Sequence, residues 1–105
     1  MEPEVVRNEE RGRFELVRDG EVLGFTTYRR DGDEYTVIHT EVDPKFEGQG
    51  LGSKLARGIL DGLRERNKSL VPECEFIRGY IGKHPEYVAL VPEARRAEFE
   101  LDRVA

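Results

Sequence analysis

The hydrophobic period of this chain changes between residues 42 and 52, and that change limits what it can fold into. From Glu34 to Val42 the residues alternate: Tyr35, Val37, His39 and Glu41 share one face, and Thr36, Ile38, Thr40 and Val42 the other, which is a strand pattern. From Leu51 onward Leu55, Ile59 and Leu63 recur four apart, and Ala56 and Leu60 widen the stripe. Lys54, Arg57, Asp61, Arg64 and Glu65 fall largely outside it, so an amphipathic helix is predicted to about Arg66. Gly48, Gly50 and Gly52 stand at the junction.

The flanking segments fit around this strand-to-helix step. Phe14 to Arg18 reads as a strand, Asp19-Gly20 as a hairpin turn, and Glu21 to Arg29 as the returning strand. Asp31-Gly32-Asp33 turns the chain into Glu34 to Val42, completing an antiparallel meander. After the helix, Leu70 to Cys74 is expected as a short strand parallel to Glu34 to Val42, because a helical crossover returns the chain in that direction. Phe76 to Lys83 is expected as a short helix ended before His84-Pro85. Pro92 to Val104 is expected as a polar surface helix with Pro at its start. The acidic residues Glu2, Glu4, Glu9 and Glu10 are expected to form a solvated, partly disordered end. The predicted fold class is α/β (α+β): a mixed, mainly antiparallel sheet with a β-β-β-α-β-α core, in a single domain over residues 1–105.

Composition narrows the functions. The 17 Lys and Arg against 22 Asp and Glu give a net charge of -5, so nucleic acid and anionic membranes are not expected partners. No apolar run approaches the roughly 20 residues of a membrane span, and no signal-peptide pattern is present, so a cytoplasmic protein is expected. One cysteine, Cys74, excludes an intrachain disulfide, and His39 and His84 lack ligand spacing, so no metal is expected.

The glycines point to an anion. Glycines at alternate positions before a helix let bare backbone approach a ligand, and the first-turn amides of a helix have no partner within it. Such a loop suits phosphate. Ser53 stands where either the Walker A or the Rossmann spacing requires its last glycine, and the preceding antiparallel strands disfavour both nucleotide folds. A glycine-rich helix entry without a ligand shares the same spacing.

Val42-x-Pro44-x-Phe46-x-Gly48-x-Gly50-Leu51-Gly52-x-x-Leu55 resembles the acetyl-CoA loop of the GNAT superfamily of N-acetyltransferases. His39-Thr40-Glu41-Val42, Val71-Pro72-x-Cys74-x-Phe76, Tyr80-Ile81 and His84-Pro85-Glu86-Tyr87 are similar to the small, minimal GNAT-like proteins that carry a cysteine after the fourth core strand. The resemblance runs from Phe14 to Val91. Glu47 stands where the superfamily has Arg or Gln, and the N-terminal helical region that usually shapes the acceptor side is largely missing.

The resemblance implies acetyl-CoA as cosubstrate, held by Val42, Glu47, Gly48, Gln49, Gly50, Leu51, Gly52, Ser53 and Lys54; Lys54 and Arg57, near the helix start of an otherwise acidic chain, are candidate partners for its phosphates. It implies a pantetheine arm between Ile38 to Val42 and Leu70 to Cys74, where Pro72 cannot donate to a ladder. The acceptor is expected to be a small-molecule or peptide amine, and the protein a monomer or weak homodimer. Transfer to an amine needs a base and an acid. His39 is the candidate base and Tyr80 the candidate proton donor to the thiolate. Cys74 is the candidate nucleophile if transfer is covalent, whereas direct attack by the amine needs no such residue. A non-catalytic acyl-CoA-binding or sensing module is the alternative function, and a structural interaction domain a third. His84 and Tyr87 read as a turn with aromatic packing.

Overall fold

The computed structural model describes residues 2–102. Five strands form one sheet in chain order: β1 (Glu4–Asn8), β2 (Arg13–Arg18), β3 (Glu21–Asp31), β4 (Glu34–Val42) and β5 (Ser69–Pro72). The first four pair antiparallel, and β5 lies parallel to β4 after the crossover helix α1 (Leu51–Glu65). A second helix, α2 (Glu75–Lys83), follows β5. The expected β-β-β-α-β-α order is therefore present, with one more strand in front. Asp19 and Gly20, at φ +50° and +81°, make the tight turn between β2 and β3, where two positive φ values match the twist of the strands. Among the described residues no helix is long and apolar enough to cross a membrane.

The stripe on α1 is buried as its spacing predicts: Leu51, Leu55, Ala56, Ile59, Leu60 and Leu63 pack on the sheet, against Phe14, Leu16, Tyr35 and Val37 among others. The acidic N-terminal segment departs from expectation, because Glu4–Asn8 is a strand and not a solvated end. Its glutamates hid a pair of valines. Val5 packs against α1 at Gly58, where a Cβ would lie 2.3 Å from Val5 Cγ2, so the missing side chain is what admits the strand. Arg7 adds a hydrogen bond to the hydroxyl of the fully buried Tyr35.

The C-terminal segment departs as well. In place of a helix from Pro92, two 3-10 turns, Glu93–Arg95 and Ala97–Phe99, bring Phe99 and Leu101 into the core. Two apolar residues two apart cannot share one helical face, and Arg96 Nε instead donates to Val91 O at 2.9 Å. Val104 lies outside the described residues.

The third departure decides where the chemistry sits. Val37 pairs with Tyr28 and His39 with Thr27, so Ile38 is an extra residue in β4. Such a β-bulge exchanges the faces of everything after it. Tyr35 and Val37 face α1, but beyond the bulge Thr40 and Val42 take that side. His39 and Glu41 therefore turn to the opposite face and do not share one with Tyr35 and Val37.

Candidate active site

The chain leaves β4 at Val42 through a 3-10 turn, Pro44–Phe46, capped by the Asp43 carboxylate, which accepts from Lys45 N at 3.1 Å. Gly48 and Gly50 follow at φ +84° and +70°, and a Cβ at either would meet nothing within 4 Å. The amides from Gly48 to Ser53 find no acceptor among the described residues. The first bond into the helix is Lys54 N to Gly50 O, at 3.2 Å. These donors stand at the positive end of α1. The side chains of Glu47, Gln49, Ser53, Lys54 and Arg57 are exposed, Leu51 is buried, and Lys54 Nζ lies 3.8 Å from Glu2. Val42, Phe46, the glycines, Ser53 and Phe76 line a depression of about 270 Å³. Phe76 is held over Gly52, where a Cβ would come within 2.9 Å of Phe76 Cζ.

Beside this loop the edge of β4 is open. β5 pairs only with Glu34 to Val37, and the last bond across is Cys74 N to Val37 O at 2.9 Å. Among the described residues no strand pairs with Ile38 to Val42 on that side. The expected opening is there, but its cause differs from the expected one. Leu70 to Pro72 are paired, and the gap arises because β5 stops at Pro72 and Cys74 already caps α2. Cys74 is 3% exposed, and its Sγ lies 3.2 Å from Thr40 Oγ1, which lies 2.8 Å from Thr26 Oγ1. Sequence reading missed both threonines, because only the bulge turns Thr40 toward Cys74.

His39 is on the other face. Its Nε2 lies 3.2 Å from Glu41 Oε2, and both side chains are 60% exposed. Tyr80, half-buried, stacks on His84 with ring centroids 4.1 Å apart. With Ser53, Phe76 and Lys83 these two line a second depression, of about 280 Å³, which shares Ser53 and Phe76 with the first. The glycine loop, Phe76 and Tyr80 thus form one continuous wall. Cys74 meets β4 at the open edge, and His39 stands across the strand from it.

Tyr87 is buried below this wall and donates to Asp61 Oδ1 at 2.6 Å. Burial, with that hydrogen bond to the carboxylate, pushes its phenol from 10.0 up to about 12. The folded state holds this proton more tightly than the unfolded chain, so the Tyr87 contribution to stability is whole below pH 10.0 and is lost as pH rises toward about 12. Denaturant unfolding across that window will show a steeper loss in the wild type than in Tyr87→Phe. Parallel curves would contradict the assignment.

Among the described residues no three His, Cys, Asp or Glu side chains are grouped to hold a metal ion. A family model described as GCN5-related N-acetyl-transferase matches residues 13–91. The chain is 34% identical over 53 residues to the [ribosomal protein bS18]-alanine N-acetyltransferases of Escherichia coli strain K12 and Shigella flexneri. That match covers 50% of this chain and 36% of those enzymes. The solution structure of a GCN5-like N-acetyltransferase candidate from Staphylococcus aureus superposes with a TM-score of 0.62 at 27% identity, over 85% of this chain and 87% of that one. The matched region takes in the glycine loop, the open edge of β4, Cys74 and Tyr80, and the chain belongs to the GCN5-related N-acetyltransferase family.

Proposed function

We propose that this chain is an acyl-CoA-dependent N-acetyltransferase that binds acetyl-CoA in the glycine loop and along the open edge of β4. The observation that carries the reading is the run of free amides from Gly48 to Ser53 at the start of α1, beside a strand edge that lacks a partner. Backbone donors at a helix start suit a pyrophosphate, and an unpaired strand edge suits the amide groups of a pantetheine arm. Lys54 and Arg57 add positive charge to the first turns of α1 in an otherwise acidic protein. Acetyl-CoA supplies the activated acyl group.

This chain's residues supply proton handling and position. His39, supported by Glu41, accepts the proton of the incoming amine on the open face of the sheet. The Tyr80 hydroxyl donates the proton that the departing thiolate needs. Cys74 is a packing residue in this reading: its sulfur faces the neutral Thr40 hydroxyl and has no base partner among the described residues. Transfer is then direct.

Thiol release from acetyl-CoA, measured with a panel of amines, tests the proposal. Amine-dependent release is expected, undiminished in Cys74→Ala, with no acetyl adduct on the protein by intact mass. Binding without release would make the chain a sensing module, and an adduct on Cys74 with an inactive Cys74→Ala would establish covalent transfer.

A further inference from the structure

The face of the sheet turned away from α1 carries an ordered set of side chains that the cradle does not use. Strand register places Asn8, Arg13, Thr27 and His39 in one row across β1 to β4, and Val6, Glu15, Phe25 and Glu41 in the next. Glu15 is only 7% exposed, and a carboxylate buried to that degree is costly unless paired. Its Oε2 accepts from Arg13 Nε at 2.7 Å and from Asn8 Nδ2 at 3.3 Å. The Arg13 guanidinium lies 4.3 Å from the centroid of the Phe25 ring. Arg13 is thus fixed from two sides, while its terminal nitrogens have no acceptor among the described residues.

Arg13 borders a cavity of about 320 Å³, whose walls also include Phe25, Gly24, Glu41, Val42 and Asp43. Gly24 lets β3 approach β4 closely at this end, because a Cβ there would lie 2.8 Å from Glu41 O. Val42 also lines the depression of the glycine loop, so the two sites share a wall. The cavity wall thus carries both Arg13, held by Glu15, and Glu41, whose carboxylate lies 3.2 Å from His39 Nε2.

We propose that this cavity recognises a carboxylate on Arg13, so that the acceptor is an amine that also bears a carboxylate and has the length of a short peptide. The acceptor role rests on the transferase reading, whereas the recognition itself does not. A guanidinium fork binds a carboxylate through two parallel hydrogen bonds, and Glu41 attracts the ammonium. Arg13 and Glu41 stand two strands and one row apart, about 12 Å between their backbones, and an extended residue spans about 3.5 Å, so a tripeptide bridges them where a single amino acid does not.

NMR titration of the protein without CoA, using Ala-Gly-Gly, its C-terminal amide and Ala-Gly-Glu amide, tests this. A charge-assisted pair to Arg13 predicts about tenfold tighter binding of Ala-Gly-Gly than of its amide. Tight binding of Ala-Gly-Glu amide as well would show that an acidic side chain serves; binding like the plain amide would restrict the site to a C-terminus. Arg13→Gln removes the preference, and Glu15→Gln, which loosens the clamp while keeping Arg13, reduces it. Equal affinities of acid and amide for the wild type, no saturable binding of any of the three, or a preference that survives Arg13→Gln would overturn the site. Because CoA is absent, the result is readable whether or not acyl transfer is found.

Discussion

Gly50→Val will lose CoA affinity by a factor of about 100 or more, equivalent to about 2.7 kcal/mol, while the protein stays folded. Gly50 caps α1 at φ +70°, a region that costs an ordinary L residue roughly 1–2 kcal/mol and a β-branched one more. The loop must therefore rearrange, and the amides on either side leave the positions that converge on an anion. A Cβ at Gly50 meets no protein atom within 4 Å, so the added bulk falls in the space in front of the cradle and not in the core. Gly50→Asn separates the two causes, because Asn tolerates the left-handed region and tests bulk alone. Gln49→Ala changes little, since the exposed Gln49 contributes its amide and not its side chain. Calorimetry with CoA reads all four proteins. Wild-type affinity in a folded Gly50→Val would remove the backbone cradle from the account.

His39→Gln will lower turnover by about 10²–10⁴, the usual worth of a positioned general base, with little change in CoA affinity. The imidazole Nε2 lies 3.2 Å from the Glu41 carboxylate, which orients the ring. Glu41→Gln should cost less than His39→Gln, because it weakens that support without removing the base. The deficit should narrow as pH approaches the acceptor amine's own pKa, where the amine loses its proton to solvent. Steady-state rates of His39→Gln over a pH series decide the point. Unchanged turnover would leave His39 as a solvated partner of Glu41.

The parts of this fold that depend on local pattern were legible in the sequence. The stripe from Leu51 to Leu63, the Asp19-Gly20 turn and the parallel return after α1 each follow from period, turn chemistry or handedness. The parts that depend on partners distant in the chain were not. β1 exists because Val5 meets Gly58, and nothing near Val5 announces a glycine more than fifty residues away. The bulge at Ile38 leaves no mark on the alternation of β4, yet it reverses the faces of His39 and Thr40 and separates His39 from Cys74. For the same reason the glycine-rich entry to α1 was readable from spacing alone, whereas the Thr26, Thr40 and Cys74 contacts and the Glu15 clamp on Arg13 appear only once the strands are in register.

In the proposed function the backbone amides of one loop hold the CoA phosphates, and amide NMR observes those groups directly. Titrating CoA into ¹⁵N-labelled protein should move the resonances of Gly48 to Ser53 the furthest, followed by those of Ile38 to Val42 along the open edge of β4. Saturable shifts that leave Gly48 to Ser53 in place, or no shift at any CoA concentration, would contradict it.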